Sequence, residues 1–143
     1  SRNADSPLFS SDTLRKMMYQ HNSLKAVITL ASSILDNPTG YGRIIRNSNE
    51  NIIGIAEEKC VSDEQKAIKE VNGGAYIFDS KWLFSNIHQI KQNATGEYNL
   101  TDMVRIAVEQ NKTITSVGCD YKELLGINTL SELETVENIL RSR

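Results

Sequence analysis

Short acids and amides at the ends of apparent strands are the residues of this sequence best suited to chemistry. Asp5, Glu57, Asn72 and Asn128 have this character. In open α/β sheets, ligands bind beyond the carboxyl ends of the strands, so such positions are candidate binding sites. A carboxylate accepts hydrogen bonds from sugar hydroxyls, and an amide both donates and accepts them. The oxygens of Asp5 and Asn128 are also of the kind that Mg²⁺ binds beside water and phosphate oxygens.

Each of these residues also has an ordinary structural interpretation. Glu57 could be a solvated acid, or one paired with Lys59. Asn72 and Asn128 could serve the turn chemistry that asparagine favours next to glycine. The spacing of the residues leaves both interpretations open.

The segment from Asn37 to Arg43 is a stiff turn that contains two glycines. Pro38 fixes its own φ and biases the residue before it toward extended geometry. Gly40 and Gly42 allow positive φ, or the close approach of another group to the backbone. Apolar, strand-like runs lie on both sides. The turn could therefore present backbone N–H groups to a ligand, or it could be a loop with no ligand.

Composition and charge exclude several classes of function. The 143 residues include 16 Lys and Arg against 18 Asp and Glu, which gives a formal net charge of -2. A general nucleic-acid or membrane-surface role would need a basic face, and no apolar run approaches the roughly 18 residues of a membrane span. The two cysteines lack metal-ligand spacing and are expected to be reduced thiols in a cytoplasmic protein. The sequence contains no zinc-type Cys/His arrangement, no G-x-S-x-G motif and no G-x-x-x-x-G-K-[ST] motif.

Hydrophobic periodicity and capping residues predict an alternation of helices and strands. The predicted elements, in chain order, are a helix that begins at Ser11 or Asp12 and carries Leu14, Met17, Met18 and His21, a strand over 24–31, a hairpin of 43–46 with 52–55, a short capping-box helix over 62–70 that ends at a break over 71–74, a strand over 75–78, a helix capped by Ser80, a helix capped by Thr101, a strand over 113–117 and an amphipathic helix over 130–140. This order favours α/β layers around a mostly parallel or mixed sheet. The length suits one domain over residues 1–143.

Several motifs occur together in the order and spacing of one known family. They are D-S-P-L at 5–8, P-T-G-Y-G-R-I at 38–44, E-E-K at 57–59, E-Q at 64–65, E-V-N-G-G at 70–74, G-E-Y-N-L-T-D at 96–102 and G-I-N at 126–128. From Asp5 to about Leu140, the chain resembles the bacterial N-acetylglucosamine-1-phosphate uridyltransferase domain.

This resemblance implies a fold, a reaction and a metal. The fold would be the α/β/α sandwich of nucleotide-diphospho-sugar transferases, with a mixed sheet. The reaction would join N-acetylglucosamine 1-phosphate to the α-phosphorus of UTP, giving UDP-N-acetylglucosamine and pyrophosphate, with Mg²⁺ as the cofactor. The matching motifs imply the site residues: Asp5 and Asn128 at the metal, with Asn128 also beside the substrate, Gly42 through its backbone, Glu57 and Asn72 at the sugar, and Tyr98 and Thr101 lining the pocket.

The chain departs from the family pattern at three points. In the family, a glycine-rich loop for the triphosphate and the residues that read uracil precede the D-x-P-L motif, whereas four residues precede Asp5 here. Ala4 and Asn99 stand where the family usually has a glycine and a second tyrosine. We therefore expect a chain that lacks the N-terminal nucleotide-binding half, turns over UTP poorly by itself and self-associates through uncovered sheet surfaces. The alternatives are a non-catalytic module that binds a nucleotide sugar or a protein, and a nucleotidyltransferase for another sugar.

Overall fold

The computed structural model describes residues 11–93 and 95–124. The helices in this part of the chain are α1 (Ser11–Leu24), α2 (Ser80–Asn86), α3 (Asp102–Glu109) and α4 (Tyr121–Leu124). The strands are β1 (Ile28–Ile34), β2 (Arg43–Arg46), β3 (Ile52–Ala56), β4 (Glu70–Phe78) and β5 (Ile114–Gly118). Short 3₁₀ turns cover Glu58–Cys60, Gln65–Ala67 and Ile87–Gln89.

The described strands form one mixed sheet. Their order is β3-β2-β4-β1-β5. β1 pairs with β5 in parallel, whereas the β1–β4, β2–β3 and β2–β4 pairs are antiparallel. The predicted α/β class with a mixed sheet is therefore confirmed, and so is the hairpin formed by β2 and β3.

Helices cover both faces of the sheet. Successive side chains of β1 point to opposite faces, so the strand contributes to a core on each side. Ile28 and Leu30 are fully buried in a core cluster with Trp82 of α2 and Met103 of α3. The next residue, Ala31, packs instead with the side of α1 that carries Met17. β2 and β3 join the α3 side of the sheet, and this arrangement places the end of β3 beside the start of α3.

The first predicted strand begins too early. Residues 24–31 were expected to be extended, but α1 continues to Leu24, and β1 begins at Ile28. Lys25 has a φ of 52°, and the N–H of Ala26 donates to the carbonyl of His21, which is the left-handed type of helix end. A short apolar run has the same composition at a helix end and in a buried strand, so the pattern could not place this boundary.

The predicted break over 71–74 is wrong, because these residues lie inside β4. The register between β1 and β4 shifts between Leu30 and Ser32, which marks a β-bulge. Gly74 supplies the positive φ of 84° there. The paired glycines therefore bend a strand and do not end a helix.

Local capping signals were only partly informative. Ser62 and Gln65 exchange both bonds of a capping box, at 3.0 and 3.1 Å, but a single 3₁₀ turn follows in place of the predicted helix. α2 is capped by Asp79, whose carboxylate accepts from the N–H of Trp82 at 3.2 Å, and not by Ser80. On α1 the buried face contains Met17 as expected, whereas the predicted Leu14 and Met18 are exposed.

Some predicted features lie outside the described residues. They are the helix over 130–140, the G-I-N motif at 126–128 and the D-S-P-L motif at 5–8. Across the residues that the structure does describe, we find no helix with the length and apolarity needed to cross a membrane.

Candidate functional site

The carboxylate of Glu57 is the centre of the candidate site. Glu57 directly follows β3 in an extended conformation, and Thr101 is the N-cap residue of α3. The Thr101 hydroxyl donates to Glu57 Oε2 at 2.7 Å. This bond fixes one carboxylate oxygen and leaves acceptor capacity on both oxygens, since each carboxylate oxygen has two lone pairs.

Gly42 lies against the other oxygen of the same carboxylate. A Cβ added to Gly42 would be 3.0 Å from Glu57 Oε1 and 3.1 Å from Ile55 Cγ2. These distances are shorter than ordinary contacts, so a side chain here would displace its neighbours. On its other side, the carbonyl of Gly42 accepts from the N–H of Asn72 at 2.8 Å. The backbone of Gly42 therefore links the end of β3 to β4.

Asn72 belongs to β4 and not to a loop, which corrects the expected placement at the end of a strand. Its Nδ2 donates to the hydroxyl of Tyr76 at 2.5 Å, and its Oδ1 accepts from the N–H of Gly74 at 3.0 Å. The turn chemistry proposed for Asn72 is therefore present, in the form of the β-bulge. The carboxamide retains one N–H and one acceptor lone pair beyond these bonds.

Tyr98 forms an isolated bridge with Gln92, and its partly buried side chain packs against the core on the α3 side of the sheet. The other expected site residues, Asp5 and Asn128, lie outside the described residues. Within residues 11–93 and 95–124, no cluster of three or more His, Cys, Asp or Glu side chains is arranged to hold a metal ion.

An open cavity of about 440 Å³ adjoins the Glu57–Thr101 pair. It lies between the outer edge of β3, the loop that precedes α3 and the first turn of α3. Its lining includes Ile55, Glu57, Lys91, Asn99, Thr101 and Arg105, whereas Gly42, Asn72 and Tyr98 are not among its lining residues. The structure thus brings together Gly42, Glu57, Asn72 and Thr101 by contact, and only Glu57 and Thr101 reach this cavity.

A carboxylate at the start of α3 is held ionised beside the cavity. Asp102 accepts two hydrogen bonds from Arg105, both at 2.8 Å, and one from the N–H of Lys91 at 3.0 Å. Burial is the largest influence on the pKa of Asp102 and acts to raise it, but these bonds outweigh burial and bring the pKa below its ordinary value. The pair anchors α3 to the loop that lines the cavity.

A second carboxylate, Glu58, holds the glycine turn, a role that the sequence pattern did not predict. Glu58 Oε1 accepts from the N–H of Gly40 at 3.0 Å and forms an ion pair with the buried Arg43. Arg43 also donates to the carbonyl of Tyr41 at 2.7 Å. The hydrogen bond from Arg43, followed by that from Gly40, lowers the pKa of Glu58. Glu58 and Arg43 each occur in one of the motifs named above, but no local sequence pattern predicts a contact between residues so far apart.

A third ion pair joins β2 to β4 two residues before Asn72. Arg46 donates to both carboxylate oxygens of Glu70, at 2.8 and 2.9 Å, and to Ser116 Oγ at 3.0 Å. The hydrogen bond from Arg46 is the largest influence on the pKa of Glu70 and brings it below the ordinary value. This bidentate pair fixes the start of β4 and was not predicted from the sequence.

The family model and the similar proteins both identify this chain as a nucleotidyl transferase relative. The family model for nucleotidyl transferases matches residues 5–121. The bifunctional protein GlmU of Caldanaerobacter subterraneus subsp. tengcongensis is 43% identical over 140 residues, and that of Clostridium perfringens is 40% identical over 140 residues. Each match covers 97% of this chain but 31% of the GlmU relative, so the chain spans about a third of the length of these relatives.

The fold has a counterpart among solved structures. A Bacillus anthracis protein, provisionally assigned as a glucose-1-phosphate thymidylyltransferase and solved in complex with sucrose, superposes with a TM-score of 0.58. The two sequences are 24% identical, and the match covers 94% of this chain and 51% of the other. This likeness concerns the fold. The comparisons do not support the expectation that the chain is specifically the carboxyl-terminal half of such a domain.

Proposed function

Because the chain belongs to the nucleotidyl transferase family, we propose that it forms the sugar-binding side of a sugar-1-phosphate nucleotidyltransferase site. The reaction would join N-acetylglucosamine 1-phosphate to the uridylyl group of UTP and release pyrophosphate. The GlmU relatives, at 40 and 43% identity, favour this sugar over others. The observation that carries the proposal is the contact of Glu57 with both Thr101 and the backbone of Gly42.

In this proposal, the residues act by binding and orienting the sugar. The carboxylate of Glu57 accepts hydrogen bonds from sugar hydroxyls while Thr101 keeps it in place. The backbone of Gly42 contacts the nucleotide sugar beside Glu57, whose carboxylate lies in the space that a Cβ on residue 42 would need. The remaining N–H of the Asn72 carboxamide donates to the sugar, and Tyr98 packs at the margin of the pocket. Such positioning supplies much of the catalysis in transfer reactions at phosphorus.

Mg²⁺ belongs to the same proposal. Asp5 and Asn128 carry oxygen donors that suit the ion. When bound, the ion would neutralise phosphate charge. Asp5 and Asn128 lie outside the described residues, so their role as metal ligands stays a prediction. The cytoplasmic location is also a prediction.

Titration calorimetry with UDP-N-acetylglucosamine tests the proposal on the purified chain. We expect the wild type to bind, and we expect Glu57→Gln to bind about tenfold more weakly, since it removes a charged acceptor. Glu64→Gln is the matched control, because Glu64 is exposed and its side chain makes no capping bond. If the folded wild type releases no heat at millimolar ligand, sugar binding is excluded, and a protein-binding role becomes the better proposal.

Turnover needs a separate measurement because the chain spans 31% of its GlmU relatives. A coupled assay of pyrophosphate release would show whether the chain alone consumes UTP. We keep the prediction of little or no turnover. Turnover typical of nucleotidyltransferases would overturn this prediction.

A further inference from the structure

We propose that Glu58 and Arg43 form a latch that positions the Gly42 turn against Glu57, and that Glu58 is therefore a positioning residue for ligand binding. The proposal rests on the proposed function, because it concerns the same sugar-binding wall. It adds a residue that does not line the cavity and that acts through the backbone of the turn.

The latch joins two segments that are distant in sequence. Glu58 begins the 3₁₀ turn that follows β3, and it reaches the turn that precedes β2. One Glu58 oxygen, Oε1, accepts hydrogen bonds from both the N–H of Gly40 and the guanidinium of Arg43. The same Arg43 nitrogen also donates to the carbonyl of Tyr41. Residues 40, 41 and 43, which flank Gly42, are thus tied to the Glu58 carboxylate or to its partner Arg43.

Gly42 is the residue enclosed by these ties. Its neighbours on both sides are held, and its own carbonyl is bonded to Asn72. Because Glu57 directly precedes Glu58 in the chain, the latch also sets the distance between Gly42 and the Glu57 carboxylate. A shift of the turn would therefore change both groups that the proposed sugar contacts.

Burial indicates that the contact is a built feature of the fold. The side chain of Arg43 is 3% exposed, and that of Glu58 is 35% exposed. Within the described part of the chain, Arg43 Nε has no hydrogen-bond partner. A buried guanidinium that is already short of partners depends strongly on the ones it has, so loss of Glu58 should loosen the turn.

The shared oxygen suggests a discriminating pair of variants. Glu58→Ala removes both bonds, whereas Glu58→Gln keeps a neutral Oε1 that can still accept from Gly40 and Arg43. Glu64→Ala is the control, since it removes an exposed carboxylate a few residues away. Each variant would be titrated calorimetrically with UDP-N-acetylglucosamine, and amide hydrogen exchange would be measured without ligand.

We expect Glu58→Ala to weaken binding about tenfold relative to Glu64→Ala, as loss of a charge-assisted bond allows, and Glu58→Gln to recover part of the affinity. In the absence of ligand, Glu58→Ala should accelerate exchange at the Asn72 amide, which Glu58 does not contact but which reports the docking of Gly42. Exchange at amides of the β1–β5 pair should not change, and this separates positioning from general destabilisation.

The two proposals fail in different ways. Wild-type binding that survives Glu58→Ala unchanged would overturn the latch and leave the proposed function intact. If the wild type does not bind, the proposed function fails, and the Asn72 exchange decides the latch: unchanged exchange in Glu58→Ala would overturn it, and accelerated exchange would support it.

Discussion

Substituting Gly42 by alanine tests the packing of the candidate site most directly. The backbone is not the obstacle, because Gly42 is not among the described glycines with positive φ. The obstacle is space: the added Cβ would lie 3.0 Å from Glu57 Oε1, 3.1 Å from Ile55 Cγ2 and 3.7 Å from the carbonyl oxygen of Ala56. The first two neighbours must each move by a few tenths of an ångström.

The two neighbours differ in how easily they move. Glu57 Oε1 is the end of a flexible side chain, but its carboxylate is tied to Thr101 through Oε2. Ile55 packs against the core on the α3 side. Overpacking of this kind costs about 1–2 kcal/mol of unfolding free energy, which is about 3–8 °C in Tm for a chain of this size. The displaced carboxylate should weaken binding of UDP-N-acetylglucosamine by about tenfold or more.

Thermal unfolding and titration calorimetry would measure both effects. Gly118→Ala is the matched control, because nothing lies within 4 Å of the Cβ that it would add. If Gly42→Ala matches Gly118→Ala in Tm and in affinity, the close approach of Gly42 to Glu57 has no energetic consequence, and the reasoning is refuted. A lower affinity at unchanged Tm would show that the Glu57 carboxylate moves to make room and that the packing of Ile55 is not disturbed enough to lower the stability.

Three further predictions concern the side chains around this contact. Thr101→Val keeps the shape but removes the hydroxyl that holds Glu57, so binding should fall several-fold while Tm changes by about 3 °C or less, as measured by calorimetry. Glu70→Gln breaks the bidentate pair with Arg46 and should lower the unfolding free energy by about 1 kcal/mol in urea. The pKa values of Glu58 and Glu70 lie below their ordinary 4.5, so the stability that they contribute is complete above pH 4.5 and is lost as the pH falls through the lower, folded-state pKa. Tm measured from pH 7 downward should therefore begin to fall near pH 4.5.

Each of these predictions has a clear counter-result. Unchanged affinity in Thr101→Val would mean that the hydroxyl does not orient the carboxylate. A urea midpoint of Glu70→Gln equal to that of Glu64→Gln would show that the Arg46 pair does not contribute to stability. For the pH dependence, Glu70→Gln should lose part of the acid-induced fall in Tm, and an identical fall in both proteins would assign it to other groups.

Features set by local sequence were predictable, and features set by pairing were not. The β2–β3 hairpin follows from apolar runs around a polar turn, and α3 follows from its apolar face after Thr101. The glycine pair at 73–74 looked like a break, because only the pairing of β4 with β1 shows that it forms a bulge. In the same way, a helix end and a strand start look alike around Leu24 until the chain reverses at Lys25.

The candidate site shows the same division. Glu57 and Thr101 were each singled out, but the hydrogen bond between residues 44 positions apart depends on α3 packing beside β3. Asn72 was recognised by its motif, whereas its engagement with Tyr76 and Gly74 depends on the bulge. The ion pairs of Arg43 and Arg46 were not predicted, because a charged residue on a strand is normally expected to face solvent.

The weak backbone pairing of β2 with β4 explains why these arginines matter. In the described sheet, Arg43 with Val71 is the only residue pair in register between the two strands, supplemented by the bond from Asn72 to Gly42. The ion pair of Arg46 with Glu70 therefore adds a side-chain link between the hairpin and the strand that carries Asn72, whereas Arg43 pairs with Glu58 and ties the Gly42 turn to the segment after β3. A long ladder of backbone hydrogen bonds is enough to fix the spacing of two strands. The β2–β4 ladder is too short for this, so side-chain bonds contribute more. The geometry between Gly42, Glu57 and Asn72 thus depends on two ion pairs outside the contact itself.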